Sequence, residues 1–172
     1  MQKHIDYAQK IGASYIATTA PEETFHSEAK FKALSSFLNY AAKVAKKHQL
    51  KLVYHPHDWE FLAYGSEQFV LDRLLNEAGP ELGLELDTYW IKMAGENPEQ
   101  ILKRYERRVP LIHVKDLDKE GNFKEVGSGI LDWPSIFTVA QEVGVQYYFV
   151  EQDVSEDPFK SIKKSLLYLK SL

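Results

Sequence analysis

Apolar positions along the chain alternate between stretches with a helical period and short, nearly continuous apolar runs. Residues 1–11 set Ile5, Ala8 and Ile11 at helical spacing, and Gly12 ends that helix. SYIATT (14–19) reads as a short buried strand. After Pro21, Phe31, Leu34, Leu38, Ala41 and Ala45 mark a long helix near 27–48. LKLVYHPH (50–57) is a strand running into a proline-bearing turn, a helix led by Ser66 spans about 66–78, and LGLELD (82–87) is the next strand. Asn97 caps a helix with Pro98 in its first turn. VPLIHVK (109–115) is a strand, KEGNFKEVGSG (119–129) a loop, and Asp132-Trp133-Pro134 opens a helix to about Val143. QYYFVE (146–151) is the last strand, and Asp157-Pro158 starts a final helix carrying Ile162, Leu166 and Leu169.

Strands separated by helices predict an α/β fold with a parallel sheet and right-handed crossovers. Five such strand–helix units are readable. A complete eightfold barrel needs about 250 residues, so 172 residues are short by roughly three units, and the first element is a helix, as if cut from the middle of a repeat. Nothing in the composition marks a linker, and residues 1–172 are expected to form a single domain.

Charge changes this picture little. Lys and Arg number 21 against 25 Asp and Glu, a formal net charge of −4, which argues against nucleic acid as the main partner. No apolar run reaches transmembrane length, so no membrane partner is expected. The first residues carry no signal-peptide core. Without cysteine there is no disulfide framework and no thiolate ligand or nucleophile. A cytoplasmic location is the default expectation.

The candidate chemistry sits at the strand ends. Glu60, Asp87, His113 and Glu151 each fall at or just past the C-terminal end of a predicted strand, 27, 26 and 38 residues apart. Parallel barrels build active sites at that end, from several strands at once. Three carboxylates and one imidazole suit a hard or borderline divalent cation. Alternation along the strands groups His113 with Leu111 and Lys115, Glu151 with Phe149 and Tyr147, Asp87 with Glu85, and His55 with His57. That many charged groups in one small volume is costly unless a metal or a partner compensates them. Any one of these four positions alone reads more readily as structural, an acidic one as a helix N-cap or a solvated loop residue; four aligned at equivalent ends change that balance. Trp90 is a further candidate, whereas Trp59 and Trp133 read as well as packing residues. Gly127 and Gly129 could line a phosphate, but turn geometry explains them more simply.

YHPHDWEF (54–61), LELDTYWIKMAG (84–95), PLIHVKD (110–116), VGSGILDW (126–133) and YFVEQD (148–153) resemble, in order and spacing, the sugar phosphate isomerase/epimerase family, which has the xylose isomerase-like TIM barrel. The resemblance runs essentially from end to end and implies a partial (β/α)8 barrel of about five units. It implies a divalent metal ion (Mn, Mg, Co or Zn) held by Glu60, Asp87, His113 and Glu151, with Glu60 and Glu151 also the proton-transfer pair. His55, His57, Trp90 and Lys115 would bind the substrate, a small-molecule sugar or sugar derivative. The implied chemistry is isomerisation or epimerisation through an enediolate, with a carboxylate moving the proton next to a polarised carbonyl.

Two departures from the family stand out. His55-Pro56-His57 replaces the common His-Asn-His, removing a backbone donor and a side-chain amide. The family's first three βα units have no counterpart, and the first strand resembles the barrel's fourth. An open sheet exposes edges and an inner face, so a homo-oligomer, a dimer first, is expected to cover it. The competing readings are a lyase dehydrating a keto-inositol, a truncated assembly protein without turnover and, least favoured, a metal-dependent endonuclease on the related barrel.

Overall fold

The computed structural model describes residues 1–65 and 68–172, in two compact units, Met1–Glu85 and Leu86–Leu172.

The first unit begins with α1 (Gln2–Lys10), β1 (Tyr15–Thr18) and α2 (Glu28–Lys47). Ser27 caps α2 by accepting the Lys30 N–H, and Phe31, Leu38, Ala41 and Ala45 form its buried stripe, as their spacing predicts. β2 (Lys51–Tyr54) pairs in parallel with β1, Tyr15 opposite Lys51 and Thr18 opposite Tyr54. A single 3-10 turn, Trp59–Phe61, then carries Glu60. α3 (Val70–Ala78) packs on α2 and is shorter than the 66–78 expected from sequence; its expected leader, Ser66, lies outside the described residues. Asp72 accepts the Phe69 N–H at 2.7 Å and so closes the start of α3, and Gly79, at φ +84°, ends it. β3 (Gly83–Asp87) lies parallel to β2, Val53 opposite Gly83 and Tyr54 opposite Leu84, and every residue in it is buried. A strand covered on both faces accounts for its apolar run. Its two acidic residues are therefore the exceptions to explain.

In the second unit, Asp87 caps α4 (Thr88–Met93), a helix that the apolar pattern does not announce. Asn97 caps α5 (Pro98–Arg104) with Pro98 at its first position. β4 (Leu111–Val114) and β7 (Tyr147–Val150) are parallel and in register from Leu111–Tyr147 to Val114–Val150. Between them the segment 119–129, expected as loop, contributes β6 (Phe123–Lys124), which pairs antiparallel with β5 (Asp116–Leu117). Two-residue strands are too short to leave a period in sequence. Asp132 caps α6 (Trp133–Glu142) and Asp157 caps α7 (Pro158–Leu169). Trp133, Ile136, Ile112, Val114 and Ile101 fill the core of this unit. α7 departs from its apolar period: Ser161 and Ser165 face inward, while Ile162 and Leu166 are about half exposed. The serines are buried because they have partners, Glu125 Oε1 for Ser161 Oγ and the Val126 N–H for Ser165 Oγ.

Candidate functional site

Within the second unit, strand register brings three of the predicted ligands together. His113 is the polar residue of β4 between buried Ile112 and Val114, and Glu151 follows β7 directly, its N–H bonded to Val114 O. His113 Nδ1 lies 2.9 Å from Glu151 Oε2 and 3.7 Å from Asp87 Oδ2. One ligand atom from each of Asp87, His113 and Glu151 falls within 4.8 Å of the others.

Asp87 divides its carboxylate between two tasks. Oδ1 accepts the N–H groups of Tyr89, at 2.8 Å, and Trp90, at 3.3 Å, which is the ordinary work of an N-cap. Oδ2 is buried and has no hydrogen-bond partner among the described residues. A buried carboxylate oxygen left unsatisfied is expensive, and such exceptions mark strain, function or an ion. Two carboxylates and an imidazole around it form a donor set suited to a borderline divalent cation. The residues fit the metal that the family pattern implies.

Lys115 belongs to the same cluster. Its ammonium is 3.0 Å from Glu151 Oε2, 2.7 Å from Asp153 Oδ1 and 3.6 Å from Asp87 Oδ2. It faces the rings of Tyr89, Trp90 and Phe123 at 5.2–5.6 Å from their centroids. Burial opposes its charge, but Asp87, Asp153 and Glu151 outweigh that and raise its pKa. Burial likewise opposes ionisation of Glu151, yet His113 and Lys115 prevail and hold its carboxyl below the usual range. Thr88 fixes the lysine backbone: its hydroxyl donates to Lys115 O at 2.8 Å and accepts the Lys115 N–H at 3.1 Å.

His55, His57 and Glu60 gather in the first unit. Glu60 is fully buried, with Oε1 accepting from the Tyr54 hydroxyl at 2.5 Å and Oε2 from the His57 N–H at 2.8 Å. Burial pushes its carboxyl up to about 7, against the pull of both donors. The His55 and His57 rings meet edge to face at 5.1 Å, and His57 stacks on Trp59 at 4.4 Å. His57 Nδ1 is 3.3 Å from Thr19 Oγ1, and His55 Nδ1 is 3.2 Å from the Glu85 carbonyl.

Gly127 and Gly129 point to structure. Their N–H groups donate to Asp116 Oδ2 at 3.0 and 3.2 Å, as does Trp133 Nε1 at 2.9 Å. A phosphate would have to displace a buried carboxylate to reach them, and Trp133 takes the packing role. Sequence reasoning missed Tyr54, Thr88, Asp116 and Asp153. Asp153 alone carried a usable signal, since it stands two residues beyond Glu151 in the same YFVEQD segment.

The profile of the xylose isomerase-like TIM barrel matches residues 1–172. The chain belongs to that family. Its five strand–helix units make a partial barrel of this type. The inosose dehydratase of Clostridium beijerinckii is 25% identical over an alignment 204 positions long, gaps included, which covers 97% of this chain and 67% of that protein. A sugar phosphate isomerase/epimerase from Parabacteroides distasonis superimposes with a TM-score of 0.81 at 26% identity, over 98% of this chain and 61% of its own. The 3-keto-D-glucoside 4-epimerase of E. coli, at 19% identity and a TM-score of 0.73, covers 98% of this chain and 68% of its own. This xylose isomerase-like chain thus spans about two thirds of the length of such relatives. Isomerases, epimerases and dehydratases are all among them. None of its described helices is long and apolar enough to cross a membrane.

Proposed function

We propose that this chain acts as a divalent-metal-dependent isomerase or epimerase, moving a proton next to the carbonyl of a sugar or sugar derivative. The observation that carries the reading is the buried Oδ2 of Asp87, which has no hydrogen bond among the described residues, beside His113 and Glu151. Asp87, His113 and Glu151 would hold the ion, and the family pattern adds Glu60. When bound, the ion supplies Lewis acidity that polarises a substrate carbonyl.

The chain's own residues do the rest. Glu151, kept ionised by His113 and Lys115, is the base that takes the proton from the carbon beside the carbonyl. Glu60 is the second acid/base group, with a carboxyl near 7 that both holds and releases a proton at neutral pH. Return of the proton to the neighbouring carbon isomerises; return to the opposite face of the same carbon epimerises. Lys115 and Trp90 contact sugar oxygens and the ring face, as do His55 and His57. A second reading, water loss from a keto-inositol, is favoured by the match to inosose dehydratases over 97% of the chain. Self-association belongs to the same proposal, since Tyr147, Phe149, Phe159, Ile162 and Leu166 expose apolar surface on β7 and α7.

Calorimetric titration with Mn²⁺ tests the reading, with Asp87→Asn as the comparison because asparagine preserves the helix cap while losing the second carboxylate oxygen. Wild type should bind about one ion per chain and D87N none at the same concentrations. A panel of ketoses, their phosphates and inososes in deuterated water then separates the chemistries. Deuterium at a substrate carbon supports the isomerase/epimerase, and loss of water supports the lyase. Equal Mn²⁺ binding by both proteins, or none by either, sinks the metal site.

A further inference from the structure

Asp153 stands outside the candidate ligand group, yet it makes the shortest ion pair of the cluster, 2.7 Å to Lys115 Nζ. Lys115 is only 2% exposed, and its ammonium sits 3.0 Å from Glu151 Oε2, an oxygen His113 Nδ1 also approaches at 2.9 Å. A cation that close to a metal ligand is a rival for the ligand's lone pairs. Lys115 cannot retreat to solvent: its backbone is tied to Thr88, and Tyr89, Trp90 and Phe123 wall its ammonium. When Glu151 turns to a metal, the ammonium needs another charged acceptor, since a buried charge left unpaired is strongly destabilising.

We propose that Asp153 is a positioning residue that gives the Lys115 ammonium a second carboxylate to bond, so that Glu151 can turn to a divalent cation without leaving the lysine unpaired. This rests on the metal-site reading above. Charge works in the same direction. Counting His113 in the neutral form that metal ligation requires, Asp87, Glu151 and Asp153 against Lys115 leave two formal negative charges, the complement of one divalent ion. Without Asp153 the cluster carries one, and Glu151 is the lysine's only remaining side-chain acceptor within hydrogen-bond distance among the described residues. Removing Lys115 as well takes away the rival and returns the cluster to two negative charges.

Mn²⁺ titrations of the full chain by calorimetry, with wild type, D153N, D87N and the double variant K115M/D153N, test this. Asp153 is partly exposed, so D153N should be tolerated by the fold, and circular dichroism of each variant checks this. D153N should weaken Mn²⁺ binding about tenfold, in the range typical of residues that support metal ligands. K115M/D153N should return to within about threefold of wild type, a non-additivity expected of directly contacting residues. A merely structural role for Asp153 would not be rescued by removing the lysine. Unchanged binding in D153N, or a loss that K115M leaves in place, overturns the proposal. If that happens while D87N still abolishes binding, the metal site stands and only the role of Asp153 falls. Failure of wild type to bind Mn²⁺ overturns both.

Discussion

Tyr54 donates its phenolic hydrogen to Glu60 Oε1 across 2.5 Å, and both side chains are fully buried. The two residues are six apart, one on a strand and one in the 3-10 turn after it, so the bond fixes the path of the His-Pro-His segment between them. A hydrogen bond to a buried charge is worth about 1.5–3 kcal/mol, one to a neutral group about 0.5–1.5. Tyr54→Phe should therefore cost about 2 kcal/mol where Glu60 is ionised and about 1 where it is protonated. Urea unfolding at pH 8 and pH 5 checks this; an equal loss at both would mean the bond does not sense the carboxyl's charge.

The pH dependence of the metal-free protein follows from Glu60 itself. Its carboxyl holds a proton to about pH 7 in the folded chain but releases it near 4.5 when unfolded. Between those values the native state binds the extra proton, so stability falls as pH rises through the window. The stabilisation is fully present below about 4.5 and gone above about 7, a swing on the order of 3 kcal/mol. Glu60→Gln mimics the protonated form throughout. It should match wild type at pH 4 and exceed it at pH 8 by about that amount. Parallel stability–pH curves for the two proteins would show that burial does not raise this carboxyl.

The clustering of Asp87, His113 and Glu151 is legible in the sequence because strands repeat with period two and the βα unit repeats along the chain. Those two regularities place Asp87, His113 and Glu151 at equivalent strand ends from spacing alone. Tyr54 is not legible, since an aromatic residue within an apolar strand reads as core, and its hydroxyl's partner depends on the turn that follows. Asp116 is hidden for the opposite reason. Its partners are backbone N–H groups 11 and 13 residues away, which no side-chain pattern announces. On α7 the apolar period points the wrong way, because Ser161 and Ser165 are held inward by Glu125 and the Val126 N–H rather than by hydrophobicity.

Asp116 anchors the loop that carries Gly127 and Gly129. One buried carboxylate gathers the N–H groups of Leu117, Gly127 and Gly129 and the Trp133 indole. Asparagine offers one acceptor oxygen and turns an NH₂ toward donors. Asp116→Asn should cost at least about 2–3 kcal/mol, since buried donors left unpaired cost about 1–3 kcal/mol each. Gly129→Ala should be comparably damaging. Its new Cβ would collide with Asp116 Oδ1 and with the Leu117 carbonyl, and backbone cannot step aside as a side-chain tip can. Chemical denaturation measures both; a near-neutral G129A would mean the loop can repack around Asp116.

Glu151→Gln separates metal binding from proton transfer within one residue. Glutamine keeps an oxygen near His113 and Lys115 but cannot serve as a base at neutral pH. It also removes the negative charge that His113 and Lys115 share. Mn²⁺ binding should weaken by about tenfold to a hundredfold, while deuterium incorporation into substrate should vanish even at saturating Mn²⁺. Saturation makes the two losses distinguishable, because a residue acting only as a ligand would recover its exchange once the site is filled. Full exchange in metal-saturated E151Q, measured by NMR of the substrate carbon, would remove Glu151 from the acid/base pair and move the chemistry to Glu60.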